Sequence, residues 1–201
     1  VGAGPKEIER AKAILKENVD LIVVDTAHGH SKKVAEIIKI IKKNKNKKIT
    51  LCAGNIATSE AAKFLIKLGV DIVKVGIGPG SICTTRLVAG IGVPQLSAIL
   101  EVKKGVKNNK TKIISDGGIK YSGDLAKALS AGADAVMIGS LFAGSMETPG
   151  KLIKKNGKLY KSFRGMGSVG AMNKGSADRY FQKKQTDDSK YVPEGVEGFV
   201  K

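Results

Sequence analysis

Three segments of the 201-residue chain share one shape. NVDLIVV (18–24), GVDIVKV (69–75) and GADAVMI (132–138) each pass from a helix end through Asp into a short apolar stretch. A repeating unit of helix end, Asp and strand is a βα unit, and chains built from it form α/β proteins with parallel strands. The full set of such apolar runs is VGAG (1–4), DLIVVD (20–25), ITLCAG (49–54), DIVKVG (71–76), KIISDGG (112–118) and DAVMIG (134–139), which predicts six strands. Their brevity and β-branched content suit strands buried on both faces. Helical spacing fills the gaps. Pro5 to Asn18 aligns Ile8, Ala11, Ile14 and Leu15, and Val34, Ile37, Ile38 and Ile41 repeat the pattern. Thr58 or Ser59 is placed to cap a helix that runs to Leu68 and ends at Gly69, and Ser122 to cap another that ends at Gly132.

Polar residues and glycines gather where the strands end: Asp25, Gly54-Asn55, Gly76-Ile77-Gly78, Asp116-Gly117-Gly118 and Gly139-Ser140. In a (β/α)8 TIM barrel that end is the active face. A doubly wound sheet is the alternative. A whole barrel takes ~250 residues. Residues 1–150 are therefore expected to form an incomplete barrel, with the first two units missing, disordered or carried elsewhere. From 151 to 201 the pattern changes to KLIKKNGKLYKSF, GMGSVGAMNKGS and QKKQTDDSK. A hairpin is expected around Asn156-Gly157. The remainder reads as a long mobile flap of the same domain, poorly ordered from Lys174 to Tyr191.

The net charge of +17 invites a nucleic-acid reading, but only four of the 35 basic residues are Arg and aromatics make up 4%. Groove readers lean on Arg and strand binders on aromatic stacking, so the lysines are read as a solvated face and nucleic acid is set aside as a partner. No apolar run approaches ~20 residues, which excludes a transmembrane helix. The start VGAGPKEIER has no basic-then-apolar leader. Two cysteines make no disulfide framework and point to a reducing, cytoplasmic location.

The chemistry concentrates in VGIGPGSICTTRLVAGIGVPQLSA (75–98). Cys83 sits on a Gly-rich turn among Ser81, Thr84 and Thr85, followed by Arg86. That makes it a nucleophile candidate whose thiol a nearby cation or oriented amides would activate. Cys52, inside a strand, reads as a small buried hydrophobe. SDGGIKYSGD (115–124) and MIGSLFAG (137–144) put glycines at helix starts, where backbone N–H groups favour phosphate. Asp116 and Asp25, at strand ends, suit ribose hydroxyls. His28 and His30 lack the companions of a metal site. Gly76, Gly78 and Gly80 lead into the cysteine turn and not into a helix, so no Rossmann-type dinucleotide site is expected.

Taken with DTAHGHS, AGNIAT, SDGGIKYSGDLAKAL, VMIGSLFAG, RGMGSVGAM, SADRYFQ and VPEGVEG, these motifs resemble the inosine-5′-monophosphate dehydrogenase family, collinearly over the whole chain. The resemblance is to the catalytic barrel from its third strand onward. It implies NAD-dependent oxidation of inosine 5′-monophosphate to xanthosine 5′-monophosphate, in guanine nucleotide biosynthesis. Cys83 would form a covalent thioimidate with the base. Arg179 and Tyr180, with Thr85 beside them, would activate the hydrolytic water. Ser81, Asp116, Gly118, Gly139, Ser140, Gly165, Met166 and Gly167 would hold the nucleotide, and Glu194 would contact the base. Asp25 and Asn55 would face the nicotinamide of NAD. The carbonyls of Gly78, Gly80 and Cys83 would bind a potassium ion within a homotetramer. The related guanosine-monophosphate reductases lack the RGMGS segment and the Arg-Tyr flap. Two departures stand out. Phe163 replaces the family's usual Tyr, removing a phosphate contact, and the family's C-terminal potassium ligands are absent from this sequence.

Overall fold

The computed structural model describes residues 1–17, 19–44, 48–107 and 110–201. Asn18, the expected end of the first helix, and residues 45–47 of the lysine-rich run lie outside the described residues. Five parallel strands form one sheet in sequence order: β1 (Leu21–Asp25), β2 (Thr50–Ile56), β3 (Ile72–Val75), β4 (Lys112–Asp116) and β5 (Ala135–Met137). The connecting helices are α1 (Pro5–Ile14), α2 (Lys32–Asn44), α3 (Ser59–Lys67), α4 (Thr85–Val88), α5 (Gln95–Val106), α6 (Ser122–Ser130) and α7 (Ser140–Ala143). Strand–helix alternation with parallel pairing is the α/β class the repeats predict.

The core lies between the sheet and its helices. Leu51, Val73 and Ile113 point from the strands toward Ile37, Ile38, Leu65 and Ile99, and all are buried. α2 buries the expected stripe of Val34, Ile37, Ile38 and Ile41. Thr58 caps α3 by accepting the Ala61 N–H at 3.2 Å. Gly69 and Gly132 follow α3 and α6 at positive φ, as expected of helix-ending glycines.

Several expectations are corrected. VGAG is not a sixth strand. Val1 alone reaches β1, donating its amine to Val23 O at 2.8 Å and accepting the Asp25 N–H at 2.9 Å. Gly2 and Gly4 offer no side chains to pack, and Pro5 opens α1 at once. That helix stops at Ile14, short of its expected end. The cap of α6 is Tyr121, not Ser122, because Asp124 accepts the N–H groups of Lys120 and Tyr121, both at 3.0 Å.

Beyond Gly150 a hairpin joins β6 (Leu152–Lys155) to β7 (Lys158–Arg164) through Asn156-Gly157, both at positive φ. A strand the sequence reading did not foresee, β8 (Glu197–Val200), adds antiparallel to β7. Within the segment expected as a flap there is local helical structure. Helix α8 (Val169–Asn173) leads into 3₁₀ turns at Ser176–Tyr180 and Asp188–Lys190, and Met172, Ala177 and Tyr191 are buried together. Among the described residues no helix is long and apolar enough to cross a membrane.

Candidate active site

The carboxyl ends of β1 to β4 converge on one mouth. At β2 the register against β3 slips. Gly54 faces Lys74 and Ile56 faces Val75, so Asn55 has no partner across the ladder. Bulges of this kind re-aim a side chain at functional sites. Asn55 Nδ2 donates to Gly76 O at 2.8 Å and to Asp116 Oδ2 at 2.9 Å. Only glycine fits at position 54, because a Cβ there would stand 2.4 Å from the Lys74 carbonyl oxygen.

Lys74 is the residue that the sequence reading passed over. Its side chain is 3% exposed, its Nζ lies 2.9 Å from Asp25 Oδ1, and it also pairs with Asp116 Oδ2. The signal was present. A lysine inside DIVKVG, a run fit for burial on both faces, requires acidic partners. Gln95 was missed as well. Its Nε2 donates to Val75 O at 2.8 Å and Ser115 Oγ at 2.9 Å, bracing the ends of β3 and β4.

The cysteine turn leaves β3 and is pinned by the end of the chain. Cys83 forms an isolated antiparallel bridge with Gly195. Thr84 N–H donates to Glu194 O at 2.8 Å and Val196 N–H to Ile82 O at 3.0 Å. The same stretch reaches back to the glycines after β7, with Gly165 N–H to Val196 O at 2.9 Å and Glu194 N–H to Gly167 O at 2.9 Å. Cys83 Sγ lies 3.2 Å from Thr85 Oγ1 at the start of α4. Arg86, the cation expected near the thiol, instead ties the loop together, donating to Val93 O at 2.6 Å. Cys52 is inert by contrast. It is fully buried, and desolvation pushes its thiol up to about 12.

Arg179 comes from the folded flap and pairs with Asp25. The Ala27 N–H donates to the Arg179 carbonyl at 3.0 Å, so backbone and side chain are both engaged. Burial pushes the Asp25 carboxyl up, but Lys74 and then Arg179 outweigh it and hold it below the usual carboxylate range. Burial alone would lower the Arg179 guanidinium, and Asp25 more than offsets that, keeping it firmly charged. Burial raises the Tyr180 phenol against the opposing pull of Arg179. Asp25 is thus already engaged by two cations.

A cavity of about 280 Å³ collects Asp25, Asn55, Gly78, Gly80, Cys83, Asp116, Gly165, Met166, Gly167, Arg179, Tyr180 and Glu194 on its walls. A second, of about 130 Å³, holds Ser81, Gly118, Gly139 and Ser140. The two share Gly80, Ile82, Asp116, Gly117, Met137 and Phe163. Phe163 therefore stands between them without a hydroxyl. The smaller cavity has the backbone amides for a phosphate, and the larger has a thiol, a hydroxyl and charged groups. His28 and His30 are exposed, with the His30 ring tilted against Phe64 at 4.5 Å between centroids. Among the described residues no group of three His, Cys, Asp or Glu side chains is placed to hold a metal.

Two absent groups can be tested against these walls. Asn55 Oδ1 is buried with no hydrogen-bond partner, an acceptor suited to a carboxamide N–H such as that of nicotinamide. The carbonyls of Gly78, Gly80 and Cys83 belong to one turn and are the hard oxygen donors an alkali cation takes. Gly80 O already accepts the Cys83 N–H at 3.1 Å, which leaves its second lone pair.

The family model described as the IMP dehydrogenase / GMP reductase domain matches residues 1–201. The inosine-5′-monophosphate dehydrogenase of Rhodopirellula baltica is 56% identical over 100% of this chain and 37% of its own length. That of Methanocaldococcus jannaschii is 57% identical over 98% of this chain and 41% of its own. The crystal structure of a Trypanosoma brucei GMP reductase, a cysteine-to-alanine variant in complex with guanosine 5′-monophosphate, superposes with a TM-score of 0.87. It is 43% identical and covers 100% of this chain and 40% of that one. The chain thus spans about two-fifths of the length of the curated relatives it matches.

Proposed function

Because this chain belongs to the IMP dehydrogenase / GMP reductase family, we propose that the protein oxidises inosine 5′-monophosphate to xanthosine 5′-monophosphate with NAD, in guanine nucleotide synthesis. The observation that carries the reading is the meeting of Cys83, Asp116 and the Arg179–Tyr180 pair around one cavity. The smaller cavity takes the phosphate on the amides beside Ser81, Gly118, Gly139 and Ser140, with no hydroxyl from Phe163. Asp116 accepts the ribose hydroxyls. Glu194 and the Gly165–Gly167 turn flank the base and set its C2 against Cys83.

The Cys83 thiolate adds to C2 and the C2 hydride departs, leaving a covalent thioimidate. Covalent catalysis splits one hard step into two easier ones. Bound NAD supplies the hydride acceptor. Asp25 and Asn55 would hold its nicotinamide half. Water then attacks the thioimidate, positioned by Thr85, Arg179 and Tyr180. A guanidinium paired with a carboxylate is a poor base, so Arg179 must leave Asp25 before it serves that water. The Gly78, Gly80 and Cys83 carbonyls would take potassium and stiffen the turn, within a homotetramer.

Rapid quenching with inosine monophosphate and NAD, read by intact-protein mass, should show an adduct on Cys83, with NADH appearing in the same phase. Absence of both overturns the reading. Turnover of guanosine monophosphate with a reduced nicotinamide cofactor, and none of inosine monophosphate, would place the protein on the reductase side of its family.

A further inference from the structure

Lys74 carries a charge into the interior of β3 that no step above uses. The two carboxylates it joins differ in their other partners. Asp116 also accepts Asn55 Nδ2 at 2.9 Å and lines both cavities, whereas Asp25 also holds Arg179 of the flap. Asp116, Lys74, Asp25 and Arg179 therefore form a row of alternating charge running from the nucleotide side to the flap. Cys52, the other titratable group close to Lys74, stays neutral and offers no third counter-ion. A buried ammonium must be compensated. In surroundings of low dielectric, weakening its bond to one acid strengthens its bond to the other. Whatever binds Asp116 is then felt at Asp25.

We propose that Lys74 is a positioning residue that carries nucleotide occupancy to the flap: when ribose hydroxyls engage Asp116, Lys74 turns its charge to Asp25 and Arg179 is released. Release clears Asp25 for the cofactor and frees the guanidinium to turn toward Cys83. The occupancy half of this rests on the assignment of Asp116 to the ribose. The coupling half rests on the row of charges alone.

The Ala27 amide reports flap docking, since its hydrogen bond goes to the Arg179 carbonyl. Hydrogen exchange at Ala27 is measured in a double-mutant cycle without ligand. Asp116→Asn leaves Lys74 to Asp25 alone and should speed Ala27 exchange roughly three- to ten-fold, the size of typical couplings within one network. In a Lys74→Met background the same change should have little effect, and Lys74→Arg should restore it. A role confined to stability would not give this pattern. Equal acceleration with and without Lys74, or none with it, overturns the proposal. Should Lys74→Met fail to fold, Lys74→Gln takes its place. Should neither fold, the Asp116→Asn arm decides by itself. Inosine monophosphate should act in the same direction as Asp116→Asn. If the cycle holds while calorimetry detects no nucleotide binding, the coupling stands and the functional reading falls.

Discussion

Ile37, Ile38, Leu51, Leu65, Val73, Ile99 and Ile113 sit in one continuous apolar core beneath the parallel sheet. Past Gly150, the corresponding cluster is Met172, Ala177 and Tyr191, with Val169 and Tyr180 against it. Its sheet is tied to the rest by polar contacts more than by apolar ones. β6 is exposed along its length, and β7 is anchored by the buried Lys161, whose ammonium donates to the carbonyls of Ser145 at 2.5 Å and Thr148 at 2.6 Å. The first region therefore has by far the larger buried apolar core. The second has a much smaller apolar cluster, the kind of region from which local opening is drawn. The candidate site lies between the two, with Cys83 from one side and Arg179 from the other.

The sharpest way to break this contrast is chemical. Cys83→Ala should abolish NADH formation entirely. Arg179→Ala should still give a burst of about one equivalent per site, then slow ~10²–10⁴-fold in turnover, the usual contribution of a positioned base. Intact mass should find that variant trapped as the covalent adduct. A burst lost together with turnover would show that the two regions do not divide the steps between them.

Stability offers the next test. Leu51→Ala leaves a void in the main core and should lower global unfolding by about 2–5 kcal/mol. Met172, equally buried, belongs to the small cluster. Met172→Ala should leave the global denaturation midpoint almost unmoved while speeding Ala27 exchange. Similar midpoint losses for both variants would mean that the two regions unfold as one unit.

The smallest expected effect is one of pH. The docked Asp25 carboxyl lies below its ordinary value because Lys74 and Arg179 outweigh its burial. Its contribution to docking is complete above the ordinary aspartate value of ~3.9. It is lost only as pH falls through the lower, docked value. Ala27 protection, corrected for intrinsic exchange, should stay level from pH 7 to about pH 5 and fail only in stronger acid. Loss between pH 7 and 6 would assign docking to some other group.

Why parts of this molecule were readable follows from where their causes lie. The βα units declare themselves locally, since Asp71 and Asp134 precede strands whose valines, Val73, Val75 and Val136, lie in or against the core. The Thr58 cap and the Asn156-Gly157 turn depend on three or four residues and are as plain in the sequence as in the fold. Each candidate at a strand end was visible as a polar residue where an apolar run stops. The row from Asp116 to Arg179 was not, because it depends on β1, β3 and β4 lying side by side and on a flap folding back over them. No spacing in the sequence encodes that neighbourhood. β8 escaped for a related reason. VEGFV has little alternation to announce a strand, and its pairing energy comes from β7.

The bridge between Cys83 and Gly195 sets an order in time. The turn that bears the thiol leaves the ribosome well before the segment that pins it. At ~5–20 residues per second, several seconds of synthesis separate the two. During that interval the sheet can assemble around its core while the thiol rests on an unanchored turn. The Cys83 turn thus gains its anchor only after all five strands of the parallel sheet have emerged.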